Sequence, residues 1–136
     1  MDPIRNTVKQ TRKWVVKKHS EAFPKNLEGL CAIASHKLFK NLCKKNIQSK
    51  LVVADLCGGG SHCWIQIEEN VYDITSTQFN LKTVYNIPRS KYIKKLYEKA
   101  GTEIRFVRYL EFDSEESFIK HLYKDGWPDE QIPKST

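Results

Sequence analysis

Apolar positions recur with helical spacing at the start of the chain. Ile4, Val8, Thr11 and Val15 fall along one face and Pro3 suits a first helical turn, so the pattern predicts an amphipathic helix over about residues 3–22. "FPKNLEG" interrupts it at 23–29. A second stripe, Cys31, Ala34, Leu38 and Leu42, predicts a helix over about residues 31–43 whose apolar face points inward. The period then changes. "KLVVADLC" (50–57) is apolar and β-branched, "GGGS" breaks it, "HCWIQIE" (62–68) alternates, and "VYDITST" (71–77) follows a turn at about "EEN", which predicts three short strands.

Further along, "KTVYNI" (82–87) reads as another strand, Ser90 to Ala100 as a helix and "TEIRFVRYLEF" (102–112) as a strand packing through Ile104, Phe106 and Tyr109. A last helix is expected from Asp113, where Asp113 and Glu116 have capping-box spacing, through Phe118, Ile119 and Leu122 to Gly126. Helices come first, a meandering sheet follows, and helices return. Short turns between neighbouring strands favour antiparallel pairing, so the expected class is α+β. No repeat or linker divides the chain, and its 136 residues fit one domain spanning 1–136.

Composition narrows the setting. No stretch approaches the ~18 to 20 continuous apolar residues of a membrane span, and "MDPIRNTVKQTRKW" lacks the apolar run of a secretory signal, so a soluble, cytoplasmic protein is expected. Its 4 cysteines, Cys31, Cys43, Cys57 and Cys63, are too few and too unevenly spaced for a disulfide framework and read as free thiols. The net charge of +7 gathers in "VKQTRKWVVKK", "KLFKNLCKK" and "RSKYIKKLYEK", each of which also has helical apolar spacing. Those runs read as solvated helix faces, with nucleic acid or an acidic protein as the partner such a surface would attract.

Cys31 stands where the second helix begins. A thiol attacks carbonyls as the thiolate, and a helix start favours an anion through its unpaired N–H groups and the positive end of its dipole. A neighbouring imidazole would complete the activation by forming an ion pair and later returning its proton to a leaving group. Among the histidines, His19 and His121 lie on charged helices, and His36 is roughly 140° around the helix from Cys31. His62 opens a strand directly after the glycines and is the candidate base. Asp73, an unusual residue for a strand, is the candidate for holding the other ring nitrogen.

The pairing depends on register. With Glu68-Glu69 as the turn, His62 lies opposite Thr75 and diagonal to Asp73, roughly 7 to 8 Å away and within reach of two side chains. With Glu69-Asn70, the separation grows to roughly 13 Å and the pair breaks.

This order, Cys at a helix start, then "HCWIQIE", then "VYDITSTQF", resembles that of the papain-like and transglutaminase-like cysteine enzymes, over roughly residues 26–79. His62-x-Trp64 and Asp73-Ile74-Thr75 look most like the transglutaminase-like branch. The resemblance implies an antiparallel sheet carrying the nucleophile helix. It also implies acyl transfer from amide, ester or thioester through a thioester on Cys31, with His62 as base then acid and Asp73 orienting it. No cofactor is implied, and the expected substrate is protein or peptide-like. Papain proper has Gln six residues before its nucleophile and Trp just after it, where this chain has Lys25 and Ala32. An oxyanion donor is therefore sought from the Cys31 N–H together with Asn26 first, then Gln66 or Gln78. Trp64 is expected as a core anchor and a possible substrate contact.

Other readings of the same residues are weaker. Cys43, Cys57 and Cys63 read as core residues, Cys63 alternating to the face opposite His62. Cys57, His62 and Cys63 lack the spaced pairs of a zinc site. "GGG" precedes a strand and lacks the Lys and Ser/Thr of a phosphate loop. The competing function is a non-catalytic basic binding module, or an inhibitor, on the same scaffold.

Overall fold

A computed structural model describes residues 2–19, 30–56, 61–75, 84–99 and 106–134. Helix α1 spans Pro3–His19 and α2 spans Cys31–Lys44, followed by strands β1 (Lys50–Leu56), β2 (Ser61–Ile67), β3 (Asn70–Asp73) and β4 (Val84–Pro88). Helix α3 (Arg89–Lys99), strand β5 (Phe106–Phe112), helix α4 (Glu115–Lys124) and a 3₁₀ turn at Asp129–Gln131 complete the order. The five strands form one sheet in the order β4-β3-β2-β1-β5, antiparallel at every junction. The fold is α+β: N-terminal helices packed on an open antiparallel sheet. No described helix is long and apolar enough to cross a membrane.

Local chemistry explains the helix boundaries. Asp2 accepts the Ile4 and Arg5 N–H groups at 3.0 and 3.1 Å, capping α1 with Pro3 in the first turn, where its missing N–H costs nothing. Val8, Thr11 and Val15 are buried as the stripe predicts. The Thr11 hydroxyl donates to the Thr7 carbonyl and accepts from Asn41 of α2, which satisfies a buried polar group and ties the two helices together. Helix α2 ends where Asn46 takes φ 59°, a left-handed conformation Asn tolerates better than most residues. Helix α4 differs from expectation at both ends: Ser114, not Asp113, caps it, accepting the Ser117 N–H at 3.3 Å from an extended backbone, and it stops at Lys124, two residues before Gly126.

The sheet separates two apolar layers because side chains alternate along each strand. Leu51, Val53, Cys63 and Ile65 face α1, α2 and α4, joining Ala34, Leu38, Leu42, Phe118 and Leu122. Val52, Ala54, Trp64 and Val71 face the other way, with Tyr92 of α3. Exposed Lys9, Lys13, Lys17 and Lys18 lie on the solvent side of α1, as expected for a charged helix face.

Between β2 and β3 the register is Ile65 with Tyr72, Gln66 with Val71, and Ile67 with Asn70. The turn is therefore Glu68-Glu69, with Glu68 at φ 57°. This is the register that brings His62 and Asp73 together. Strand β3 is shorter than the alternation of "VYDITST" suggests, ending at Asp73 because Ile74 and Thr75 turn away.

Candidate active site

Three elements deliver the three predicted side chains. Cys31 is the first residue of α2, with no acidic residue in that turn to oppose a thiolate. His62 lies near the start of β2, opposite Ala54 of β1. Asp73 is the last residue of β3. His62 Nε2 lies 2.6 Å from Asp73 Oδ2, with both side chains almost completely buried. The buried Cys31 thiol and the same imidazole shift each other's proton affinity, the imidazole lowering that of the thiol and the thiol raising that of the imidazole.

The early end of β3 makes the meeting possible. By the register of the hairpin, the residue opposite Cys63 would be Ile74, which has already left the strand. At that gap, Arg12 of α1 donates to the Ile74 carbonyl, supplying the partner that the strand no longer provides.

Asp73 is held from all sides. Oδ1 accepts the Thr75 N–H at 2.9 Å and the Thr75 hydroxyl at 3.1 Å. Oδ2 accepts both His62 Nε2 and the buried Tyr92 hydroxyl. Trp64 packs behind the imidazole, its ring 6.0 Å from that of His62 and edge-on to Tyr92 at 5.4 Å. Being fully buried, Trp64 offers no exposed face, and its role here is to fix ring positions.

These contacts set the charges. Burial raises the proton affinity of Asp73, but His62, Tyr92 and Thr75 outweigh it and hold the carboxyl below its usual range. Burial likewise opposes the imidazolium, yet Asp73 and Cys31 raise His62 to about 10. The Cys31 thiol is brought down to about 5 by a hydrogen bond from the Cys63 thiol, against burial, and by the hydrogen bond and charge of His62. A thiol is a weak donor, so the imidazolium is the group able to balance a buried anion. Burial and the adjacent Cys31 push Cys63 up, so it stays protonated.

Tyr92→Phe removes one of the donors on a buried carboxylate. Such bonds contribute ~1.5–3 kcal/mol, and a loss of that size is expected in urea unfolding at neutral pH. A loss below about 0.5 kcal/mol would mean that the hydroxyl does not help to hold Asp73.

Of the remaining candidates, Asn26 and Gln78 lie outside the described residues, as do Cys57 and the glycine run. Gln66 sits four residues along β2 from His62, roughly 13 Å away, and its amide donates to the Glu68 carbonyl. It is therefore no oxyanion donor for Cys31. His36 pairs with Glu115 at 2.7 Å, well apart from the thiol as its helical angle requires. His121 packs against Phe112. No described group of three or more His, Cys, Asp or Glu side chains could hold a metal.

Sequence reasoning missed Tyr92, Arg12 and Thr75. Only Thr75 carries a local signal: an Asp side chain commonly accepts the N–H two residues on, and Asp73-Ile74-Thr75 has that spacing. Compared with protein-family models, curated proteins and solved structures, the chain has no match.

With Cys31 lowered and His62 raised, the arrangement favours a thiolate beside an imidazolium, and the Asp73 carboxylate fixes the ring that would carry the proton.

Proposed function

We propose that this protein is a cysteine hydrolase or acyltransferase of the papain-like or transglutaminase-like kind, acting on amide, isopeptide or ester bonds. Cys31 attacks the acyl carbon. His62 gives its proton to the leaving group and then activates the acceptor, while Asp73 keeps the ring oriented through both halves of the reaction. Water is the simplest acceptor. The basic helices favour an acidic protein or peptide as substrate, since a field of one sign concentrates the opposite one. The observation that carries this reading is one buried imidazole joined to Asp73 through Nε2 at 2.6 Å, with the Cys31 thiol at a helix start held low in part by that imidazole.

The reading requires an acyl-enzyme, which can be sought without the natural substrate. Incubated with p-nitrophenyl acetate at pH 7, the protein should gain one acetyl group, mapped by peptide mass to Cys31, and release p-nitrophenol in a burst. Cys31→Ala should lose both. Acetylation confined to the exposed Cys43, with none on Cys31, would leave a basic binding module as the better account.

A further inference from the structure

Away from the candidate triad, α1, α2 and the segment after α4 enclose a groove of about 420 Å³. Its α2 wall carries Ile33, His36, Lys37 and Lys40, which lie roughly 140° to 240° around the helix from Cys31, so the groove opens on the opposite side of α2 from the thiol. Half-buried Trp14 of α1 also lines it. Two ammonium groups converge on that indole, Lys18 Nζ at 5.0 Å and Lys37 Nζ at 4.7 Å from the ring centroid. One comes from each helix. An indole attracts a cation, but two cations on one ring repel each other. Lys40 lines the same wall, and burial together with Lys44, Lys40 and Lys18 holds the Lys37 ammonium below the ordinary lysine range. A solvated helix face accounts for each lysine singly, but not for their convergence on one tryptophan beside apolar Ile33, Ile132 and Pro133. We propose that this groove binds an acidic peptide segment carrying one large apolar side chain, at a site separate from Cys31, His62 and Asp73.

The lining suits that occupant in two parts. Ile33, Ile132 and Pro133 offer apolar contact to the large side chain, while Lys18, Lys37 and Lys40 offer ammonium groups to the carboxylates beside it. A carboxylate set between Lys18 and Lys37 pairs with both and relieves their mutual repulsion. Single-stranded nucleic acid fits less well. Its bases need an open aromatic face, whereas the Trp14 ring already lies beneath two ammonium groups. Its continuous phosphates would also pass Asp129 and Glu130, on the wall formed by the turn after α4. Asp129 engages Lys134 at 2.9 Å, which leaves the positive charge of the groove concentrated on its helical wall. A short peptide meets that asymmetry by turning its acidic residues to one side. The groove and the acyl-transfer site share no residue, so this inference stands without that reading.

The test uses the full chain and a fluorescein-labelled peptide of sequence DEDFEDE, followed by fluorescence anisotropy at pH 7 and low salt. The double substitution Lys18→Gln and Lys37→Gln should weaken binding at least about fivefold with the urea midpoint unchanged, because two surface charge pairs are lost. Replacing the phenylalanine of the peptide by serine should weaken binding at least about tenfold, the worth of burying one large apolar side chain. Carbodiimide should cross-link the bound peptide to Lys18, Lys37 or Lys40. No anisotropy change up to ~1 mM protein overturns the proposal. Cross-links confined to lysines outside the groove, binding that survives the double substitution, or tighter binding of an oligothymidylate of equal charge overturns it as well. These outcomes leave the acyl-transfer reading standing, and a missing acyl-enzyme on Cys31 leaves the groove standing.

Discussion

Iodoacetamide should modify Cys31 at a rate that scarcely changes between pH 6 and pH 9, whereas in His62→Ala the rate should climb about tenfold per pH unit up to ~8.5. With its pKa held at about 5, roughly nine-tenths of Cys31 is thiolate at pH 6, against about 0.3% for an ordinary thiol of pKa ~8.5. Ionisation therefore favours the native site by roughly 300-fold. The more acidic thiolate is also the weaker nucleophile, by roughly 30-fold over this pKa difference at a Brønsted slope of ~0.4–0.5. Ionisation wins by about one order of magnitude at pH 6, and the two profiles should cross near pH ~7, above which the variant reacts faster. Comparing the same buried position in both proteins removes the effect of access. Rates following ordinary thiol ionisation in the wild type, or a level profile surviving in His62→Ala, would show that the imidazole does not make the thiolate. The level region should end near 10, where His62 gives up its proton.

The parts of this site that were legible in the sequence are those that depend on period. The stripe from Cys31 to Leu42 placed the thiol at a helix start, and the alternation of "HCWIQIE" put His62 and Trp64 on one face and Cys63 on the other. Period could not choose between two hairpin registers. That choice belongs to the turn, where Glu68 occupies a left-handed conformation that its residue type gives little reason to expect. The premature end of β3 was equally hidden, because "VYDITST" keeps alternating after the strand has stopped. What stops it is tertiary: Arg12, 62 residues earlier in the chain, donates to the Ile74 carbonyl, and Asp73 turns the backbone by accepting from Thr75. Tyr92 was visible only as an aromatic in a basic helix. Its hydroxyl reaches Asp73 because α3 crosses the sheet face opposite α2, a placement set by the connections between strands and not by any local pattern. Ser114 displaced Asp113 as the α4 cap because the two short polar residues stand side by side, and backbone direction decides which one faces the free N–H groups.

Stability should be level from pH ~6.5 to ~8.5 in the wild type, and should fall across the same interval in Cys31→Ala. In the unfolded chain, histidine releases its proton near ~6.5 and cysteine near ~8.5. In the folded protein His62 keeps its proton until about 10, while Cys31 has already lost its own above about 5. Between those unfolded values the native pair therefore holds one proton, on the imidazole, and the unfolded pair also holds one, on the thiol. Equal proton counts mean no slope. Below ~6.5 the unfolded pair holds two protons and the native pair fewer, so stability declines as pH falls toward the native value of Cys31. Asp73, depressed in the folded state, adds a further loss below ~3.9. Above ~8.5 the unfolded pair holds none and the native imidazole still holds one, so stability declines with rising pH until His62 deprotonates. Cys31→Ala removes the compensating thiol. His62 remains raised by Asp73, though by less, since Cys31 is one of the groups that raise it. The decline then begins at ~6.5, with a slope of up to ~1.4 kcal/mol per pH unit. Urea midpoints at pH 6.5, 7.5 and 8.5 separate the two cases. A wild type that falls in parallel with Cys31→Ala would have an ordinary protonated thiol beside its charged histidine, and the nucleophile inferred from the geometry would not exist at neutral pH.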